Sequence, residues 1–168
     1  MLIIFGGLPG TGKTTIAREL ASQLGAVYLR IDSVEQAIRD SDSSGAPMDD
    51  RGYRVAYAVA EDNLGIGRTV IADCVNPLQL TRDSWIGVAR RAQVRAVEVE
   101  VVCSDALEHR RRVETRATDV AELKPLAWQE VVDRQYDPWN RERIVLDTAA
   151  RSVEDNVRAL REALAGVD

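Results

Sequence analysis

The sequence is poor in the residues on which several classes of protein depend. Its 168 residues include two cysteines, one histidine and one phenylalanine. Cys74 and Cys103 can form neither a disulfide framework nor a four-ligand zinc site by themselves. No apolar run approaches the ~20 residues of a membrane-spanning helix, and no charged segment precedes the apolar run 2–5 as it would in a signal peptide. We therefore expect a reduced, cytoplasmic chain that does not enter a membrane.

An excess of positive charge is also absent. The chain has 22 basic and 27 acidic residues and a net charge of −5 at pH 7, which argues against a basic nucleic-acid-binding module. Apolar residues make up 45% and charged residues 29%, as is typical of globular proteins. Since a domain averages about 150 residues, we predict a single domain over residues 1–168.

Short apolar runs alternate with segments of helical periodicity along the chain. The run 2–5 is typical of a buried parallel strand, and 14–24 predicts a helix that ends at Gly25. The remaining pattern predicts strands near 27–31, 69–72, 96–103 and 144–146, with intervening helices that include 33–39 and 126–136. Valine alternates with glutamate in 96–103, which predicts a strand that has one wet face or lies nearer an edge. The order indicates an α/β fold, a five-stranded parallel sheet with helices on both faces.

The segment from Gly7 to Thr14 fits the pattern G-x-x-x-x-G-K-[ST] at every fixed position. Glycines let the backbone wrap a phosphate chain, and the following helix points its positive end at the same anion. Lys13 would reach the β and γ phosphates, and the Thr14 hydroxyl would ligate Mg²⁺. A glycine-rich turn with an incidental lysine is the alternative, but the motif follows a predicted strand and opens a predicted helix. The pattern predicts a P-loop NTPase three-layer sandwich whose nucleotide site includes Leu8, Pro9, Gly10, Thr11, Gly12, Lys13, Thr14 and Thr15.

Two aspartates follow predicted strands, where parallel α/β sheets bind their ligands. Asp73 follows the strand 69–72 in a Walker-B-like pattern and could hold Mg²⁺, or it could be a turn residue before Asn76. Asp32 follows the strand 27–31 and could accept the proton of a hydroxyl group during phosphoryl transfer. Asp32 could instead cap the next helix, and the two roles are compatible.

Arginines crowd the end of the helix predicted over 104–116. Arg112 and Arg116 are four residues apart and share a helix face. Planar guanidinium groups suit the charge that spreads over a transferring phosphoryl group. The alternative is a solvated cationic helix end, favoured by the helix dipole and paired with nearby glutamates. We place a small helical lid at about residues 108–138.

These features together resemble the small P-loop kinases, the AAA-type predicted kinases, and in particular the polynucleotide 5′-hydroxyl kinase domain and chloramphenicol phosphotransferase. The resemblance runs from Phe5 to about Tyr136. It implies ATP and Mg²⁺ as cofactors, Asp32 as the general base, and Arg112 and Arg116 as lid arginines. It also implies that the segment ending in Thr148 lies beside the adenine.

The sequence departs from the polynucleotide kinases at Glu35. Those enzymes carry an arginine three residues after the base aspartate, where it grips a substrate phosphate. An acid at this position repels an anionic substrate, and the net charge of −5 acts in the same direction. Tyr53 lies in an apolar helical stripe next to the polar loop 41–50. Packing in the core is the default role for such a residue, but its hydroxyl could face the acceptor pocket. The predicted acceptor site comprises Asp32, Glu35, Tyr53 and Asp73.

The prediction from the whole sequence is an ATP-dependent phosphotransferase that moves the γ-phosphoryl group to a hydroxyl of a neutral or cationic small molecule. Nucleic acid is not the expected acceptor. The alternatives are a polynucleotide or nucleotide 5′-end kinase, and a P-loop NTPase switch that acts on a protein partner. The sequence predicts no particular oligomeric state.

Overall fold

A computed structural model describes residues 1–42, 46–115 and 126–166. The strands are β1 (Leu2–Gly6), β2 (Val27–Arg30), β3 (Val70–Asp73), β4 (Ala96–Val102) and β5 (Ile144–Asp147). The helices are α1 (Lys13–Leu24), α2 (Ile31–Ser41), α3 (Arg51–Gly65), α4 (Gln79–Arg91), α5 (Ala106–Thr115), α6 (Trp128–Val132) and α7 (Val153–Ala165). The strands pair in parallel in the order β2-β3-β1-β4-β5.

The sheet is covered by helices on both faces, which confirms the predicted fold class. On one face, α1 and α7 pack against β1 through a core that includes Ile16, Leu20 and Leu160. On the other face, α3 and α4 pack through a core that includes Leu64 and Trp85. Every residue of β1 is buried, as expected for a central strand enclosed by helices.

The strand order places a binding crevice at the end of β1. The chain runs from β1 out to β2, returns to β3 beside β1, and then crosses to β4 on the other side. Ligands of open α/β sheets bind beyond the carboxyl ends of the strands where this reversal occurs. The phosphate-loop sequence follows β1 directly, so it lies at that position.

The glutamates of β4 do not form a wet face. Glu98 and Glu100 are 4% and 9% exposed. Arg141 pairs with Glu98, and the Arg143 Nε lies 2.5 Å from Glu100. The prediction of a water-exposed face is wrong because the segment before β5 folds over these carboxylates and supplies their counter-charges. The other part of that prediction is correct, since β4 is one strand from the sheet edge.

Helices α2 and α6 are among those whose bounds differ from the predicted ones. Helix α2 begins at Ile31 rather than Ser33. Helix α6 covers only Trp128–Val132 of the predicted 126–136, because the chain beyond it is anchored to another element. The Asp137 backbone N–H donates to the Pro77 carbonyl at 2.8 Å. Among the described residues, no helix is long and apolar enough to cross a membrane.

Candidate functional site

The loop after β1 has a backbone that only glycine can adopt at its tightest points. Gly7 and Gly10 have φ angles of 134° and 83°. A Cβ atom on Gly7 would collide with the Val101 carbonyl oxygen, and one on Gly10 would lie 2.5 Å from the Val113 side chain. These close approaches explain why the motif needs glycine there, and they shape the loop into a concave backbone surface.

Polar side chains hold this loop in place. The Thr11 hydroxyl donates to the Leu8 carbonyl at 2.9 Å, and the Lys13 ammonium donates to the same oxygen at 3.1 Å. The Thr148 hydroxyl, from the segment after β5, donates to the Thr11 carbonyl at 2.8 Å. Lys13 is only 7% exposed. The loop therefore holds its lysine close to its own backbone.

Helix α5 packs directly on the loop. His109 is buried, its Nε2 lies 2.8 Å from the Pro9 carbonyl oxygen, and its ring meets Trp128 edge-on at 5.1 Å between centroids. A lone histidine in an arginine-rich helix gives no sequence signal of this contact. His109 and Val113 are four residues apart, so the helix face they share is the one that meets the loop.

The structure brings Arg112 and Thr148 together. One Arg112 nitrogen donates to the Thr148 hydroxyl at 2.8 Å, and the other donates to the Thr148 carbonyl at 3.0 Å and to Glu108 at 2.5 Å. Arg110, by contrast, is exposed and pairs with Glu114 at 2.8 Å. Only part of the arginine cluster is therefore a solvated helix end. Arg116 lies outside the described residues.

A cavity of about 530 Å³ lies between the loop, α1, α5 and the segment after β5. It has the size of an ordinary small-molecule site. Of the residues predicted to bind nucleotide, it is lined by Gly10, Gly12, Lys13, Thr14, Thr15, Arg112 and Thr148. The cavity therefore joins the loop to two residues that are distant in sequence.

The end of β3 lies beside the phosphate loop and beside the start of α2. The Gly7 backbone N–H donates to the Val75 carbonyl at 3.0 Å, and Arg30, two residues before Asp32, is in register with Asp73. Burial raises the pKa of the Cys74 thiol, the negative charges of Asp73 and Asp32 raise it further, and the positive charge of Lys13 lowers it. The segments that carry Lys13, Asp32 and Asp73 therefore meet at this end of the sheet.

Asp32 lies in the first turn of α2 and is not its cap. The helix begins one residue earlier, and its N-terminus has no side-chain capping hydrogen bond. The Asp32 side chain is 37% exposed, and its Oδ2 lies 3.5 Å from a nitrogen of the buried Arg30. Arg30 was not among the predicted site residues, although a basic residue in an apolar strand run is a usable signal.

Glu35 and Tyr53 lie close together between α2 and α3. A Cβ atom on Gly52 would collide with the Glu35 side chain, so the two helices pack tightly there. Burial raises the pKa of Tyr53, and the charge of Glu35 contributes to that rise. The Tyr53 hydroxyl accepts a hydrogen bond from the Asn76 backbone N–H at 3.4 Å. The tyrosine packs against the core beside the acidic side chain.

We expect Glu35→Gln to raise the stability of the protein at neutral pH. Burial raises the pKa of Glu35, while Arg39 opposes the shift and Asp32 adds to it. A carboxyl whose pKa is raised by folding destabilises the fold once pH exceeds that pKa, and the cost disappears below the unfolded value of about 4.3. Urea unfolding from pH 7 down to about pH 4 should show the gain of Glu35→Gln shrinking. The exposed Glu142→Gln is the control, and an equal gain in both variants would refute the explanation.

Magnesium fits the donor set of this region. Thr14 lines the cavity, and Asp73, only 3% exposed, is the last residue of the neighbouring strand β3. Among the described residues, no cluster of three or more metal-binding side chains exists. Mg²⁺ suits such a site because it retains several waters and binds proteins through few ligands together with substrate phosphates.

Comparison with known proteins is consistent with this geometry. A family model described as AAA domain (AAA_33) matches residues 2–138. No curated protein sequence matches the chain significantly. The full chain is similar in structure to a proposed kinase from Chloroflexus aurantiacus, with a TM-score of 0.75 and 20% identity over 99% of this chain and 97% of that one.

Two further solved structures have the same fold. The APS kinase CysC of Mycobacterium tuberculosis, in complex with AMPPNP and APS, gives a TM-score of 0.74 and 18% identity over 98% of this chain and 96% of that one. Chaetomium thermophilum Kti12, in complex with ADP-AlF3, gives a TM-score of 0.71 and 22% identity over 97% of this chain and 98% of that one. At these identities the likeness shows the fold alone, which is that of the small P-loop kinases.

Proposed function

The chain belongs to the AAA_33 family of AAA domains, and from this premise we propose that it is an ATP-dependent phosphotransferase. Its acceptor is a hydroxyl group of a small molecule. The observation that carries the proposal is that the segments of Lys13, Asp32 and Asp73 meet at the end of β3. A phosphate-binding lysine beside two carboxylates is the set of groups that phosphoryl transfer to an alcohol requires.

In the proposed reaction, Lys13 and the backbone amides of the loop hold the phosphate chain of ATP. Asp32 accepts the proton of the acceptor hydroxyl while that oxygen bonds to the γ-phosphorus and the bond to the ADP oxygen breaks. Arg112 and Arg116 stabilise the charge on the transferring group. Magnesium, when bound, neutralises charge on the β and γ oxygens. Thr14 and Asp73 are the residues that would hold it.

We propose one kinase domain over residues 1–168, with a lid at about 108–138. We also propose that Thr148 lies beside the adenine, because it lines the cavity and bonds to Arg112. Its hydroxyl oxygen also lies 3.1 Å from the Val102 carbonyl oxygen. The nucleotide would thus be enclosed between the phosphate loop and the segment after β5.

The acceptor side is acidic, which supports a neutral or cationic acceptor. Glu35 and Asp32 lie one helical turn apart, and the charge of Asp32 raises the pKa of Glu35. An anionic acceptor would meet repulsion from both groups. The APS kinase of similar structure was solved in complex with AMPPNP and APS, which supports a small acceptor here too.

The proposal is tested by incubating the protein with Mg²⁺, γ-labelled ATP and a fractionated pool of small hydroxyl compounds. We expect label in one small-molecule fraction, and none with Lys13→Ala. Label that goes to an oligonucleotide, with a rate that falls steeply as salt is added, would favour the 5′-end kinase instead. Label released only as phosphate, and faster with a protein partner, would favour the NTPase switch.

A further inference from the structure

Tyr28 makes a polar contact across the sheet to Asp73. The two residues lie on the neighbouring strands β2 and β3, where Tyr28 is in register with Ile71. Since side chains two residues apart in a strand share a face, Asp73 projects on the same face as Ile71. The Tyr28 ring packs against the core on that face, and its hydroxyl donates to the Asp73 Oδ2 at 2.7 Å.

The phenol of Tyr28 is the donor in this contact, because a carboxylate oxygen accepts. Asp73 is 3% exposed, so the bond gives a buried carboxylate a partner on one of its oxygens.

A hydrogen bond to one oxygen fixes the rotation of a carboxylate. With Oδ2 held by Tyr28, the direction of Oδ1 is also set. Groups in this second layer orient metal ligands, and their loss typically weakens metal binding by about 10–100-fold. On the basis of the proposed function, we infer that Tyr28 is a positioning residue that orients Asp73 toward the magnesium ion of the bound nucleotide.

The competing explanation is that the bond only ties β2 to β3. A structural tie would change stability without changing the metal requirement. Tyr57 offers a matched control, because its hydroxyl donates to the Thr81 carbonyl at 3.3 Å on the opposite face of the sheet. Tyr28→Phe and Tyr57→Phe each remove one hydroxyl and keep the ring, so both should fold.

The test is Mn²⁺ binding to the full chain in the presence of AMPPNP, followed by electron paramagnetic resonance. We expect Tyr28→Phe to weaken Mn²⁺ binding by about tenfold or more, and Tyr57→Phe to leave it within about twofold of the wild type. In the transfer assay, saturating Mg²⁺ should restore the kcat of Tyr28→Phe, because only the metal affinity is impaired.

Asp73→Asn separates the two ways in which the inference could fail. If Asp73→Asn weakens Mn²⁺ binding and Tyr28→Phe does not, Tyr28 has no positioning role, and the metal assignment of Asp73 stands. If Asp73→Asn also leaves Mn²⁺ binding unchanged, the metal assignment itself is wrong. A kcat of Tyr28→Phe that stays low at saturating Mg²⁺ with unchanged Mn²⁺ affinity would likewise overturn the inference.

Discussion

We expect Lys13→Ala to lower the rate of phosphoryl transfer by at least about 10²–10³ and to leave the chain folded. That is the typical cost of removing one donor that stabilises a developing charge. Lys13 is buried in the loop and donates to the Leu8 carbonyl, so its ammonium is held next to the site where the phosphates would lie. The measurement is the steady-state rate of transfer from γ-labelled ATP, with circular dichroism to confirm folding.

Arg110→Ala is the matched control for this experiment. Arg110 is also a cation near the loop, but it is exposed and pairs with Glu114. Its removal changes the net charge by the same amount, so we expect a rate within about twofold of the wild type. A Lys13→Ala protein that is folded and transfers phosphate at the wild-type rate would mean that the loop does not bind the reacting phosphates.

We expect Asp32→Asn to lower kcat for transfer by about 10²–10⁴, which is the usual contribution of a general base. The KM for ATP should change little. Asparagine has nearly the same shape but cannot accept the hydroxyl proton. The change should not cost a helix cap, because Asp32 makes no capping bond and α2 begins before it. The measurement is the rate of transfer at saturating ATP and acceptor, together with the KM for each.

The exposed Asp62 of α3 provides the control for the loss of one carboxylate. Asp62→Asn should transfer phosphate as the wild type does. If Asp32→Asn retains more than about a tenth of the wild-type kcat, Asp32 is not the base, and Asp73 becomes the carboxylate to test. An increase in the KM for ATP with an unchanged kcat would assign Asp32 to nucleotide binding instead.

The fold could be predicted because its signals are local. The alternation of apolar runs and helical stripes gave the parallel sheet with helices on both faces, and the glycine spacing gave the loop at the end of β1. The contact between Arg112 and Thr148 was not visible in the pattern, since 36 residues separate them and only the folded chain brings α5 beside the end of β5.

Buried polar groups were the hardest part to predict. Glu98 looks like a surface residue in sequence, and it is buried because Arg141 from a distant segment neutralises it. His109 likewise reaches the Pro9 carbonyl across 100 residues. Such pairs depend on two charged or polar partners that come into contact only after folding. Neither the composition nor the periodicity of the sequence predicts these contacts. The roles of Asp32, Glu35, Tyr53 and Asp73 in catalysis remain proposals for the experiments above.

The central claim is that the γ-phosphoryl group goes to a hydroxyl of a small molecule. The most direct measurement is the amount of phosphorylated acceptor formed for each ADP, by ³¹P nuclear magnetic resonance, with the compound that takes up label in the pool assay. We expect one molecule of phosphorylated acceptor for each ADP formed. We also expect the rate of ADP formation to rise when the acceptor is added. Transfer to a small molecule would be contradicted if inorganic phosphate were released in an amount equal to the ADP, at a rate that no small hydroxyl compound changes.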